Sequence, residues 1–475
     1  MIKNNLPNLQ KARKRSKSVT EVIEYNTPDG IKDIGVGKKY LIQTHGCQAN
    51  EADTEIIKGM LNNQKFTETF VIEETDLILI NTCAVREGAE NKVFGELGRL
   101  KSFKRINPNL IIAVAGCMSQ EESTVTKILS KYKHVDIVFG THNISKFIEY
   151  LNYVMVEKKQ LIEVFSEEGH ITEHLPHARD HRFKAWVNIM YGCDEFCTYC
   201  IVPYTRGKER SRRKEYIIEE IKALVKKGYK EITLLGQNVN SYGLDFGDYN
   251  YSFANLLDDL SDLDIPRIRF TTSHPKDFSD DLIDVIKRKP NVMPYIHLPV
   301  QSGSNKVLKK MNRKYTKEQY LDLVDRIYKA IPNASITTDI IVGFPTETEE
   351  DFLDTLDLVR KSKFEGAYTF VYSRRSGTPA AKYESTTTKE EAKERLYRLN
   401  DLVNEQYRIG NKRFENKVVK VLVEGYSKTN ESILSGHTEN NKLVNLKGDP
   451  SMIGSIVDVK VTEAKTWSLT GEAIS

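Results

Sequence analysis

Three cysteines fall within eight residues of the stretch "GCDEFCTYCIVPYTRGKERSR": Cys193, Cys197 and Cys200. A disulfide uses two thiols and a structural zinc site four ligands, so a set of three needs another explanation. Three thiolates around a cube of four irons leave one iron open to bind a substrate or cofactor. Zinc held by three cysteines and one histidine is the other reading, with His181 not far upstream. Zinc ligands, however, generally come as two separated pairs, and no fourth ligand is suitably spaced here. The spacing therefore favours a cluster. The chain has three further cysteines, Cys47, Cys83 and Cys117, which are 36 and 34 residues apart. They make a second set of three if the fold brings them together.

The elements that must position them are legible as alternating patterns. From 38 to 156, the strand candidates "KKYLIQTHG", "DLILINT", "NLIIAVAG" and "HVDIVFG" alternate with helical stretches. That alternation implies an open parallel sheet covered by helices. Cys47 directly follows the first strand, Cys83 ends the second and Cys117 ends the third. All three are thus expected at the carboxyl edge, where open α/β sheets bind ligands. A linker over 157–178, overlapping a charged, His-rich connection with His170, His174, His177 and His181, leads to the second domain. In that setting the histidines read as surface residues. From 179 to 411 six further strand–helix units follow, too few for a closed eight-stranded barrel, so the expectation is a partial (βα)6 barrel with its polar strand ends at one mouth. From 412 to 475 short alternating strands and turn signals replace the helical period, as in a small antiparallel, OB-like β-barrel. The fold class is α/β multidomain.

Composition sets bounds on function. The 475 residues suffice for about three domains, and 39% hydrophobic with 29% charged residues is a globular balance. No apolar run approaches the roughly 18 residues of a membrane helix. Residues 1–37 contain basic residues but no apolar h-region, and are expected to be a mobile polar extension rather than a secretory signal. Six cysteines without a signal suggest reduced, metal-binding thiols and a cytoplasmic protein. Net charge is only +4, so nucleic-acid binding must come from local clustering. The candidate cluster is Arg206, Lys208, Arg210, Arg212, Arg213 and Lys214, with Glu209 alone against it. The C-terminal segment, with nine Lys/Arg against eight Asp/Glu, is nearly neutral.

The spacing Cys-x3-Cys-x2-Cys, with Tyr199 before the last cysteine, resembles the radical S-adenosylmethionine superfamily. "THGCQAN", "NTCAVREGAENK" and "AGCMSQ", followed by the second cysteine stretch, resemble the MiaB-type tRNA methylthiotransferases over about 38 to 475. The resemblance implies two 4Fe-4S clusters, one on Cys47, Cys83 and Cys117 that delivers sulfur, and one on Cys193, Cys197 and Cys200 that binds S-adenosylmethionine. It implies that S-adenosyl-L-methionine serves as radical source and methyl donor, and that the terminal segment is an RNA-binding TRAM module. The substrate would be tRNA carrying N6-isopentenyladenosine at position 37, methylthiolated at C2. That carbon holds a hydrogen too weakly acidic for a side-chain base, whereas a cofactor radical can remove it. An electron donor such as flavodoxin or ferredoxin and a sulfur donor are implied as partners, with the enzyme working as a monomer away from membranes.

Cofactor contacts beyond the cysteines are expected from Tyr199 and from strand-end residues. Gly236, Gln237 and Asn238 stand where many radical enzymes carry a Gly-Gly-Glu that receives the methionine amine. Ser273, Gln301, Ser302 and Asp339 end later strands at the same mouth, and a turn role is the alternative for each. The basic residues Arg206, Lys208, Arg210, Arg212 and Arg213 are the candidate RNA contacts. Three other functions compete. Methylthiotransferases of a ribosomal-protein aspartate generally carry bulkier apolar residues after the second cysteine, unlike "NTCAVRE". The branch acting on threonylcarbamoyl-adenosine is less similar at "THGCQAN". The third is a non-catalytic metal-binding RNA protein, which iron content and S-adenosylmethionine cleavage would separate from an enzyme.

Overall fold

A computed structural model of the chain describes residues 6–8, 11–12, 20–84, 87–166, 169–247 and 251–474. It divides into two compact units. One comprises Met1–Asp180, Asn188–Phe196 and Cys200–Tyr216; the other comprises His181–Val187, Cys197–Tyr199 and Ile217–Ser475.

The first unit is built on a six-stranded, wholly parallel sheet. After β1 (Val22–Glu24) come β2 (Lys39–His45), α1 (Gln48–Asn63), β3 (Thr67–Glu68), β4 (Leu77–Thr82) and α2 (Glu87–Ile106). Then follow β5 (Ile111–Gly116), α3 (Glu122–Lys131), β6 (Ile137–Phe139), α4 (Phe147–Glu157), β7 (Leu161–Glu163) and β8 (Ile171–Glu173). The sheet order is β3-β2-β4-β5-β6-β7. The central strand β4, "LILINT", is buried along its whole length, as a strand covered on both faces must be. Leu77 and Leu79 join the core beneath α1 and α4, while Ile78 and Ile80 point the other way, into the core with Val93, Leu97 and Ile128 of α2 and α3.

Two expectations need correction here. The N-terminal extension is not wholly a mobile tail: β1 pairs in parallel with β8, Val22 opposite Ile171, and Ala12 is buried beside Cys117. Most of its basic residues, 13–17, lie outside the described residues. The 157–178 linker supplies two strands, β7 at the sheet edge and β8 against β1. The two-residue β3 and three-residue β7 are too short to show a period in the sequence.

In the second unit, β9 (Lys184–Asn188), β12 (Glu231–Leu235) and β13 (Arg267–Phe270) form one three-stranded sheet. A second sheet is formed by β14 (Tyr295–His297), β15 (Ser335–Val342) and β16 (Ala367–Val371). A parallel bridge from Ile268 to Val292 joins them, which makes the expected six-stranded partial barrel. Between β9 and β12 the chain forms β10 (Met190–Tyr191), α5 (Val202–Thr205) and β11 (Arg210–Ser211), which belong to the first unit, and then α6 (Lys214–Lys226). The remaining helices are α7 (Phe253–Ser261), α8 (Asp280–Arg288), α9 (Asn305–Lys310), α10 (Lys317–Ala330), α11 (Glu349–Ser362) and α12 (Lys389–Lys412).

The C-terminal strands β17 (Val418–Ser427), β18 (Asn430–Thr438), β19 (Leu443–Lys447), β20 (Ile456–Ala464) and β21 (Leu469–Ala473) close into a barrel, β17-β18-β19-β21-β20. It is not purely antiparallel, because β19 and β21 run parallel, Val444 opposite Leu469. This small barrel is fastened to the amino ends of the partial-barrel strands. Buried Arg267 donates to the carbonyls of His437 (2.8 Å) and Lys420 (2.9 Å). Arg269 donates to those of Glu439 (2.8 Å) and Thr438 (2.7 Å). Lys184, the first residue of β9, pairs with Glu424 at 2.8 Å.

Candidate active site

Topology places the first three cysteines. Sheet order reverses between β2 and β4; α1 leaves toward one face and α2 toward the other, opening a crevice at the carboxyl edge. Cys47 caps the amino end of α1, Cys83 is the first residue past β4, and Cys117 the first past β5. Gly116 makes the last step possible: its φ is +96, and a Cβ there would run into Asn81 Oδ1 and the Thr82 carbonyl. Asn81 in turn donates to the Asn50 carbonyl (2.8 Å) and to Thr54 Oγ1 (3.0 Å), locking the end of β4 to α1.

The thiols of Cys47 and Cys83 hydrogen-bond to each other, and this chiefly lowers the Cys47 pKa to about 5. Arg206 and the backbone N–H groups of Asn50 and Ala49 add to the effect, as expected at a helix amino end beside a cation. Cys117 is buried, and burial pushes its thiol up against the pull of Arg206. All six cysteines are free. Three thiolates without a fourth protein ligand leave one iron of a four-iron core open, so this donor set suits an iron–sulfur cluster better than a closed four-ligand zinc site.

Cys193, Cys197 and Cys200 follow β10 in a continuous loop. Gly192 (φ +78) precedes the first of them, and a Cβ there would strike the Lys208 carbonyl. The Cys193 N–H donates to the Gly207 carbonyl at 3.1 Å. In the second unit, buried Cys197 accepts from Arg313 Nη1 at 3.3 Å. Arg313 also donates to the Pro299 carbonyl and to Tyr315 Oη, both at 2.8 Å. Thr198 is tied to the carbonyls of Met311 (3.0 Å) and Lys310 (2.8 Å).

The strand-end residues divide in two. Gly236 and Gln237 are half-buried at the end of β12. Asn238 is buried and donates to Asp277 at 2.8 Å, leaving its Oδ1 without a partner among the described residues. Ser273 is likewise buried with an unpartnered hydroxyl. Such orphaned polar atoms at the carboxyl ends of strands suit a polar ligand. Asp339, expected at a strand end, lies inside β15 and faces His297 at 3.5 Å, and Tyr199 packs with Val307, Met311 and Phe344. Gln301 holds a positive φ of 72, and its backbone is spent on ladder bonds to Asp339 and Ile341. Ser302 is fully buried, its hydroxyl near Thr355 and accepting from the Ser304 N–H; it has the turn role.

The basic stretch also needs correction. Arg206, Arg210 and Arg212 are buried. Arg212 forks onto Glu173 (2.9 and 2.6 Å) and donates to the Asn188 carbonyl. Arg210 donates to the carbonyls of Gly169 and Arg206. Arg206 reaches the first cysteine set: Nη2 donates to Asp53 at 2.6 Å and Nε to Cys117 Sγ at 3.3 Å. Of the five candidate RNA contacts, Arg213 is exposed and Lys208 half-buried. Sequence reasoning missed Arg206 and Arg313 as cysteine partners, and also His274. That imidazole is held neutral, its pKa lowered to about 2 by burial and then by Arg313 and Lys276.

Comparison with known proteins agrees with this architecture. Residues 39–140 match the model described as uncharacterized protein family UPF0004. Residues 187–359 match the radical SAM superfamily, and 412–474 the TRAM domain. The tRNA-2-methylthio-N(6)-dimethylallyladenosine synthase of Oceanobacillus iheyensis is 57% identical over 98% of this chain and 90% of its own length. The protein of the same name from Bacillus subtilis is 56% identical over 98% and 92%. Among solved structures, the radical S-adenosylmethionine methyltransferase TsrM from Kitasatospora setae, with cobalamin and a 4Fe-4S cluster bound, shares the fold at TM-score 0.53 and 13% identity. That likeness covers 72% of this chain and 77% of TsrM. With relatives this similar along nearly its whole length, the chain belongs to the radical S-adenosylmethionine family of tRNA-2-methylthio-N(6)-dimethylallyladenosine synthases.

Proposed function

We propose that this chain methylthiolates C2 of N6-isopentenyl(dimethylallyl)adenosine at position 37 of tRNA, giving 2-methylthio-N6-isopentenyladenosine. The observation that carries this reading is the meeting of Cys47, Cys83 and Cys117 at the sheet's switch point, in a chain that also holds the radical cysteine motif. Cys47, Cys83 and Cys117 would hold one 4Fe-4S cluster, and Cys193, Cys197 and Cys200 the other. When bound, the first cluster supplies sulfur for transfer, and the second supplies the electron that cleaves S-adenosylmethionine, which is also the methyl donor.

The protein's own contribution is placement. The amides of Ala49 and Asn50 hold the Cys47 sulfur, and Gly116 lets Cys117 turn into the same crevice. Asn238 and Ser273 offer free polar atoms to S-adenosylmethionine, with Gly236 and Gln237 past the end of β12, Tyr199 in the cysteine loop and Asp339 within β15. His274, kept neutral, adds no positive charge there. Exposed Arg213, Lys208 and the TRAM barrel serve tRNA binding. No helix among the described residues is long and apolar enough to cross a membrane, and the reading places the enzyme in the cytoplasm as a monomer. It would use a one-electron donor such as flavodoxin or ferredoxin and a separate sulfur donor. Mass spectrometry of tRNA nucleosides from a deletion strain tests this: 2-methylthio-N6-isopentenyladenosine should vanish and its unthiolated precursor accumulate. An unchanged nucleoside profile would refute it.

A further inference from the structure

Each cysteine set has one sulfur that accepts a hydrogen bond from a buried arginine, and the two contacts have the same length. Arg206 Nε lies 3.3 Å from Cys117 Sγ, and Arg313 Nη1 lies 3.3 Å from Cys197 Sγ. Neither guanidinium is a surface charge that drifted inward. Arg206 is clamped by Asp53 at 2.6 Å, and Ile201 and Tyr204 of its own segment pack with Ala84 and Cys117. Arg313 is clamped by the Pro299 carbonyl and Tyr315.

A fixed cation donating to a thiolate does two things for a cluster on that thiolate. It holds the sulfur in one place, and it favours the more negative, reduced state, raising the potential at which one electron is accepted. We propose that Arg206 and Arg313 are paired positioning residues, one for each cysteine set, which hold Cys117 and Cys197 in place and raise the reduction potential of the cluster on each set. This rests on the two-cluster reading above. It goes beyond that reading by assigning two residues outside both cysteine motifs. The arrangement also joins the sites along the chain: Arg206 is six residues from Cys200, so a segment beginning at one cluster's ligand ends on the other's.

The test uses the full chain, reconstituted with iron and sulfide without air. With Cys193→Ala, Cys197→Ala and Cys200→Ala, only the first set can load, and its midpoint potential is read by reductive titration with electron paramagnetic resonance. Adding Arg206→Gln should weaken the one-electron equilibrium at least tenfold, about 59 mV toward lower potential. Arg206→Lys, which keeps the charge but loses the fork, should fall between. The converse pair, Arg313→Gln with Cys47→Ala, Cys83→Ala and Cys117→Ala, should shift the second cluster alike. Unmoved potentials in fully loaded Gln variants would overturn the proposal. If a Gln variant will not hold iron but keeps its parent's circular dichroism and melting point, the cation is needed to hold the thiolates, which supports it. If both substitutions at a site unfold the chain, the arginine is structural and the proposal fails there. A parent that never binds iron would instead refute the two-cluster reading itself.

Discussion

Cys47 and Cys83 are 36 residues apart in sequence, yet their side chains hydrogen-bond across the gap between β2 and β4. The contact follows from topology. These strands flank the point where sheet order reverses, so the residues that end them face one crevice. Cys117 reaches it only because Gly116 takes a backbone conformation that a side chain would obstruct.

Gly116→Ala should therefore empty one site and spare the other. Its Cβ would meet Asn81 and the Thr82 carbonyl, at a positive φ that costs roughly 1–3 kcal/mol for a side-chain-bearing residue. The expected outcome is iron falling to about half of the roughly eight per chain that two cubes would supply. Iron analysis with circular dichroism checks it; full iron loading would show that Cys117 tolerates displacement.

Arg213→Gln and Arg212→Gln should separate binding from folding. Arg213 is exposed, whereas Arg212 is buried on Glu173. If Arg213 meets a phosphate, its loss should weaken tRNA binding and reduce the salt slope by about 1. Arg212→Gln strands a buried carboxylate and should destabilise the protein by about 3 kcal/mol. Binding titrations at several salt concentrations, paired with thermal melts, distinguish the two.

The TRAM barrel should prove to be a structural part of the radical core as well as an RNA contact. Arg269 pairs with buried Glu231 at 2.9 Å while its other nitrogens reach Thr438 and Glu439. Arg269→Met removes all of these at once and should cost about 3 kcal/mol, read as a lower denaturant midpoint. Deleting residues from 412 onward is consequently a poor test of RNA binding alone, since it also strips the amino ends of the barrel strands.

Acid should loosen the same junction. Glu424 accepts from His437 at 2.6 Å and pairs with Lys184. Burial raises its pKa, but His437 and then Lys184 outweigh this and bring it down to about 2. A carboxylate depressed in the folded state contributes stability above its unfolded pKa and loses it as pH falls toward the folded value. Stability should decline from about pH 4.5 to about pH 2. Glu424→Gln should be less stable at neutral pH by about 1–3 kcal/mol and show a shallower acid limb. Identical acid limbs would remove Glu424 from the junction.

Much of this site was legible in the sequence because strand–helix alternation alone puts strand-end cysteines on one edge. The arginines were not. A charge run six residues past Cys200 has the composition of a solvated face, and nothing local indicates that Asp53 and Cys117 surround Arg206. That arrangement is a long-range packing fact. The pairing of β1 with β8 was hidden for the same reason, and the parallel β19–β21 contact because turn signals report only neighbouring strands. Strand-end position also could not separate Ser273, whose hydroxyl is unpartnered, from Ser302, which is spent on its own turn.

The most direct measurement compares Cys83→Ala with Cys197→Ala under reducing, air-free conditions, with S-adenosylmethionine and prenylated tRNA, each variant checked for folding by circular dichroism. Cys83 belongs to the sulfur-delivering set alone, and Cys197 to the radical-forming one. The expected result is that Cys83→Ala still forms 5′-deoxyadenosine but no methylthiolated adenosine, and that Cys197→Ala forms neither. Full methylthiolation by well-folded Cys83→Ala protein would contradict the assignment of two sites with separate tasks.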